Sequence, residues 1–200
     1  MFNKPTLVLM LMMLQLSAFA QQMYKLDLKK SKILWDAKKT MGRHHGFIYF
    51  SSGSLIYAVN GQPSNGTFMI NMKSIKSTDQ KLEKDNQRVD GQLKNNDFFN
   101  VAKYPTAVMN VQKIVPTSKP TIYKVSGELT IKGITHPIAF DAQLKKNGNS
   151  ISATAALQID RTKWNINHKP KSSGFEFWAT LKDKVVADYI SISLDLQFYK

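Results

Sequence analysis

Apolar and polar residues alternate with period two in segment after segment, and this restricts the fold of the chain more than any other feature. In "KILWDAK" Ile33, Trp35 and Ala37 share one face, and in "GTFMINMKSI" Phe68, Ile70 and Met72 share another. "YKVSGELTIKG" groups Tyr123, Val125, Gly127, Leu129 and Ile131, and "HPIAFDAQLK" groups Ile138, Phe140, Ala142 and Leu144. "NSISATAALQID" aligns Ile151, Ala153, Ala155, Leu157 and Ile159, while "DYISISLDLQFY" aligns Ile190, Ile192, Leu194, Leu196 and Phe198. Successive strand side chains point to opposite faces, so the pattern predicts antiparallel sheet with one apolar and one wet face. Clusters of turn-forming residues separate the runs: "NGQPSNG" at 60–66, "PTSKP" at 116–120, "KGITHP" at 132–137 and "KKNGNS" at 145–150. The first and last of these suit tight hairpins.

One stretch departs from the alternation. "STDQKLEKDNQRVDGQLKNNDFF" is polar, and its Leu82, Val89 and Leu93 fall on one helical stripe. Ser77 and Gln80 have capping-box spacing. Gly91 costs about 1 kcal/mol relative to Ala inside a helix, which predicts a bend or an end near it. The expectation is an all-β chain of seven or eight strands, a sandwich or a closed barrel, with one helical insertion over about 77–95. An eight-stranded barrel can hold a ligand when large side chains do not fill it. Small inward residues at Gly127, Ala153 and Ala155 fit either an internal tunnel or tight packing against bulky residues opposite.

The first twenty residues carry a different message. A short basic start, the apolar run "PTLVLMLMMLQL" and the small residues Ala18 and Ala20 predict a secretory signal peptide cleaved after Ala20. The run is shorter than the roughly 20 residues a helix needs to cross a bilayer. A periplasmic or secreted location follows as an expectation, with residues 21–200 as one domain. The chain has no cysteine. Thiol nucleophiles, zinc–cysteine sites and disulfide staples are thereby excluded. Formal net charge is +14. For an exported protein that charge favours anionic membrane surfaces or acidic envelope polymers over nucleic acid. A plain solvated basic surface explains it equally well, because the lysines are spread along the chain.

Two adjacent histidines stand in "GRHHGFIYF". Neighbouring strand residues face opposite ways, so His44 and His45 cannot ligate one metal within a regular strand. His44 is placed inward, because Gly46 on the same parity would let another chain or a ligand pass close. It either reaches a ligand headgroup or quinone carbonyl, or forms a structural hydrogen bond. His136 and His168 stand at no short spacing from the pair, and no metal site is expected. In "NNDFFNVAKYPTA" Phe98 and Phe99 follow the helix and either gate an opening or pack a closed end. In "DRTKW" Arg161 either holds a phosphate or polar headgroup or clamps its own loop. The chain lacks G-x-S-x-G, H-E-x-x-H and P-loop motifs, and no catalytic residue is assigned.

Four stretches together resemble the YceI-like family of polyisoprenoid-binding, lipocalin-like proteins of the bacterial envelope. They are "GTFMINMKSIKSTD" (66–79), "QLKNNDFFNVAKYPTA" (92–107), "YKVSGELTIKGITHPIAFDA" (123–142) and "IDRTKWNI" (159–166). Their order and spacing match the family over essentially all of 24–198. Asn165 stands where the family commonly has Gly, and Asn tolerates the left-handed backbone such a turn needs. The stretch 167–184 is less regular than the family pattern. The resemblance implies an eight-stranded antiparallel lipocalin-like barrel, a helical segment near one end, and a long apolar cavity for an isoprenoid-type lipid. With that cavity, the expected ligand-binding residues are His44, Ile48, Phe50, Phe68, Ile70, Met72, Phe98 and Phe99, with Leu129, Ile131, Ala153, Ala155, Arg161 and Trp164. The function expected is sequestering or carrying a long apolar lipid such as a polyisoprenoid or isoprenoid quinone, with no other cofactor. The alternatives are an enzyme acting on such a lipid, with His44 as acid or base, and an envelope interaction protein with a filled core.

Overall fold

The computed structural model describes residues 21–39, 42–166 and 186–200. The expected signal peptide, His168 and the irregular stretch 167–184 lie outside the described residues. The alternating runs form the strands β1 (Gln22–Leu26), β2 (Lys32–Lys39), β3 (Arg43–Ile48), β4 (Phe50–Tyr57) and β5 (Pro63–Asn71). They continue as β6 (Lys76–Ser77), β7 (Thr106–Pro116), β8 (Ile122–Ile131), β9 (Ile134–Asn147), β10 (Ser150–Asp160) and β11 (Val186–Tyr199). A helix, α1 (Glu83–Lys94), lies between β6 and β7.

Neighbouring strands pair antiparallel in the order β4–β5–β7–β8–β9–β10–β11. β1 closes the ring by pairing with both β4 and β11. β11 is long enough to serve two partners: Phe198 and Tyr199 pair with β1, and residues 186–195 pair with β2. β2 pairs in turn with β3. β1 with β2, and β3 with β4, are therefore two interrupted strands of a closed eight-stranded antiparallel barrel. Ser31 bridges the first interruption. It is fully buried, and its hydroxyl donates to Gln197 O and accepts from Gln197 N–H, taking the place of a missing ladder bond.

Two glycines mark close chain crossings. A Cβ on Gly46 would lie 1.8 Å from Lys76 O, and one on Gly127 would lie 2.1 Å from Asn110 O. The space beside Gly127 thus belongs to the backbone of β7, where the β7–β8 register shifts between Val111 and Lys113, and not to a tunnel. At Gly46 the neighbour is another chain segment, β6. The β8–β9 connection is a two-residue turn in which Lys132 and Gly133 both have positive φ (52° and 74°), as a tight twisted hairpin requires. Asn165 takes the left-handed conformation (φ 51°, ψ 36°) after the short 3-10 turn Arg161–Trp164.

The helix starts later than its sequence pattern suggests. Ser77 is in β6, where its N–H and hydroxyl both donate to Asp90 Oδ1 (2.6 and 2.7 Å), so no capping box forms. Leu82 is the N-cap residue, 54% exposed, and makes no stripe with Val89 and Leu93. The helix runs through Gly91, which faces open space, and ends at Lys94.

Candidate functional site

The barrel interior changes character along its length, and three adjacent strands record the change. On β9, Ile134, Ile138 and Phe140 are half-buried while Ala142 and Leu144 are buried. On β10, Ile151 and Ala153 are buried and Ala155, Leu157 and Ile159 half-buried. On β11, Ile190, Ile192 and Leu194 are half-buried and Leu196 and Phe198 buried. Ala155 pairs with both Ala142 and Leu194, so the transition falls on one rung of the sheet.

Beyond that rung the barrel is filled. Tyr24, Leu26, Leu55, Tyr57, Ile151 and Phe198 are all buried there. The Tyr24 and Tyr57 rings lie 5.2 Å apart, and Lys146 Nζ sits 5.4 and 5.0 Å from their centres. Burial, with the nearby Tyr123 and Tyr24, pushes the Tyr57 phenol up to about 12. The interior residues on the other side of the rung enclose a cavity of about 620 Å³. This volume is typical of sites that bury most of a small ligand.

Most of the expected site residues border this cavity. Ile48, Phe50, Phe68, Ile70, Met72, Leu129 and Ile131 line its walls, and Phe98 and Phe99 line it beside Val89 and Leu93 of α1. His44 and Arg161 are also at its surface. Three expected residues are not. Ala153 and Ala155 belong to the packed cluster, because small residues on one wall accommodate large ones opposite. Trp164 is buried in its own 3-10 turn, where Nε1 donates to Leu129 O (3.1 Å) and the ring meets His136 edge-on at 5.3 Å. Sequence reasoning missed Trp35, Leu157, Ile159, Ile190 and Ile192, which also line the cavity. Their parity was read correctly; what separates them from Ala153 is depth along the strand, and alternation carries no information about depth.

Polar groups gather where α1 meets the cavity: His44, Gln80, Arg88 and Gln92. His44 and His45 face opposite ways, yet both engage Asp79. His44 Nδ1 lies 2.8 Å from Asp79 Oδ2, and the His45 N–H donates to Oδ1 at 3.3 Å. Gln80 Nε2 also donates to this carboxylate. Burial of Asp79, only 6% exposed in its side chain, pushes its carboxyl up. The hydrogen bonds from His44, Gln80 and His45, with the His44 charge, outweigh that and hold it below the usual range. The Asp79 segment then leads into α1, whose Asp90 grips Ser77 and whose Asn86 side chain bonds the Gln80 backbone. The helix is thereby fixed over the cavity by buried polar contacts as well as by Val89 and Leu93.

Arg161, 8% exposed, clamps the chain around it. Its Nε donates to Ala187 O (3.0 Å), one terminal nitrogen to Ile166 O (2.5 Å) and the other to Asp188 Oδ1 (3.2 Å). Among the described residues, no three His, Asp or Glu side chains come together as metal ligands.

A family model described as a YceI-like domain matches residues 24–198. The crystal structure of Burkholderia cenocepacia BcnA superposes with a TM-score of 0.65 at 22% identity, covering 86% of this chain and 98% of that one. A polyisoprenoid binding domain from Saccharophagus degradans, implicated in plant cell wall breakdown, superposes with a TM-score of 0.62 at 16% identity, covering 88% and 97%. At these identities the likeness is one of fold. The UPF0312 protein plu2095 of Photorhabdus laumondii is 31% identical over 67 residues, a match that spans 34% of each chain. The family match takes in every strand from β2 to β10 and the cavity they enclose, and on that ground the chain belongs to the YceI-like family.

Proposed function

We propose that this protein is an exported carrier that sequesters one long apolar lipid, of polyisoprenoid or isoprenoid-quinone type, inside the barrel. The observation that carries this reading is the cavity of about 620 Å³, whose walls are chiefly Ile, Leu, Phe and Met. Such walls bind by burial and not by directed bonds. Taking up about 15 methylene equivalents releases about 12 kcal/mol gross at ~0.8 kcal/mol each, before ordering costs. The name of the Saccharophagus domain is consistent with a polyisoprenoid ligand in this fold. The N-terminal sequence supports export, and the net charge of +14 supports contact with an anionic membrane surface from which a lipid is drawn.

Native mass spectrometry of protein purified from its own host tests the reading. A co-purifying lipid mass, lost on organic extraction and restored by adding the extract back, is expected. A protein that emerges empty and takes up no isoprenoid would leave the basic surface as the working part.

A further inference from the structure

Trp35 lies at the middle of β2 on the inward face, 6% exposed, and lines the cavity. Its indole N–H has no hydrogen-bond partner among the described residues. An indole nitrogen is a donor only, and a buried donor without an acceptor destabilises a fold. The contrast with Trp164 is direct, since that indole, equally buried, has its acceptor in Leu129 O. The nearest same-face neighbours along the strand and the residues paired directly across from Trp35 carry no side-chain acceptor. Its same-face neighbours are Ile33 and Ala37, and its cross-strand partners are Ile192 and the side-chain-free Gly46.

We propose that the Trp35 N–H is the polar anchor of the cavity and that it receives a neutral carbonyl oxygen of the bound lipid. This rests on the lipid-carrier reading and narrows the ligand within it. A pure hydrocarbon leaves the donor unmatched. A phosphate would bring charge to arginines that are already partnered: among the described residues lining the cavity, Arg161 is engaged by Ala187, Ile166 and Asp188, and Arg88 pairs with Asp85. A ring or chain carbonyl offers an acceptor at small desolvation cost.

Three probes that share a geranylgeranyl chain test this: the hydrocarbon, the benzoquinone and the monophosphate. Binding to lipid-free protein is measured for the wild type and Trp35→Phe, which removes the N–H while keeping an aromatic ring. The wild type should favour the quinone over the hydrocarbon by about tenfold, and Trp35→Phe should abolish that preference, whatever its absolute affinity for the hydrocarbon. A far-UV circular dichroism spectrum that matches the wild type shows that the variant is folded. Independently of any variant, the Trp35 indole N–H resonance of the ¹⁵N-labelled wild type should move downfield with the quinone and not with the hydrocarbon. Equal affinity for quinone and hydrocarbon, a quinone preference that survives Trp35→Phe, or tightest binding of the phosphate overturns the assignment and leaves lipid binding standing. Failure of all three probes to bind removes both.

Discussion

The two ends of the barrel are made from the same strands, yet one is solid and the other hollow. The solid end holds Tyr24, Tyr57, Ile151 and Phe198 under the hairpins at 58–62, 117–121 and 148–149. The hollow end carries side chains as large, Ile138, Phe140, Leu157 and Ile192, and still leaves about 620 Å³ between them. Side-chain size on a given strand therefore does not decide which end is open. What differs is what comes in from elsewhere. At the solid end β1 contributes Tyr24 and Leu26 and pairs with both β4 and β11. At the hollow end β3 pairs with the two-residue β6 where β4 pairs with the long β5, and a helix covers the space without filling it.

Truncation should separate the ends most sharply. Ile151 is fully buried, and Ile151→Ala should cost about 2–5 kcal/mol by opening a cavity in packed surroundings. Ile192→Ala at the hollow end should cost roughly half of that or less, because its side chain already borders empty space. Chemical denaturation of both variants gives the comparison, and equal losses would mean that the two ends are equally filled.

Enlargement gives the complementary test on a single strand. Ala155→Phe lies on the boundary rung and should cost about 1–3 kcal/mol through overpacking. Leu157→Phe, two residues on, adds bulk to the cavity and should cost less than about 1 kcal/mol while reducing lipid uptake. Ala156→Phe, on the exposed face, should change neither. Thermal stability and retained lipid mass are the readouts. An Ala155→Phe protein as stable as the wild type would move the boundary deeper into the barrel.

The smallest expected effect concerns the helix that covers the hollow end. Asp79 is held below the usual carboxylate value, so it adds stability that is fully present above its unfolded pKa, about 3.9, and is lost as pH falls through its lower folded value. His44→Ala removes one of the bonds that lower Asp79 and leaves burial to raise it. The wild type and variant should then differ most in stability between pH 5 and 7, the difference should shrink as pH falls through the folded value of Asp79, and the acid-unfolding midpoint of the variant should lie at higher pH. An unchanged acid midpoint would show that Gln80 and His45 hold the carboxylate alone.

Much of this architecture was legible in the residues. Alternation assigned the inward face of β5 and β8 to β11, because a period of two has only one buried phase when one face is wet. In β3 both phases carry aromatics, so His44 was placed inward on the strength of Gly46 on its own parity, and His45 outward as its neighbour. The helix boundary was not legible. The Ser77 hydroxyl looks like a cap in sequence, but it bonds a carboxylate thirteen positions away, and no local pattern shows that. Nor was the depth of the cavity. Ala153 and Ala155 resemble tunnel walls in the strand itself, while whether they border a cavity depends on side chains contributed by other strands of the cluster they join. Arg161 was open to two readings, and its bonds to Ala187, Ile166 and Asp188 make it a clamp at the cavity edge.

The double pairing of β11 also has a consequence for the order of assembly. One strand supplies the edge that β1, β2 and β10 all require, and its contacts with β1 join Leu26 to Phe198 across nearly the whole sequence. Contacts so distant in sequence are slow to form, because the intervening chain must be ordered or spanned first. Until β11 docks, the meander from β4 to β10 has two free edges and an open apolar face, the state most exposed to edge-to-edge aggregation. The step that closes the ring is thus also the step that creates the interior, so a lipid cannot be enclosed by a chain that has not yet received its last strand.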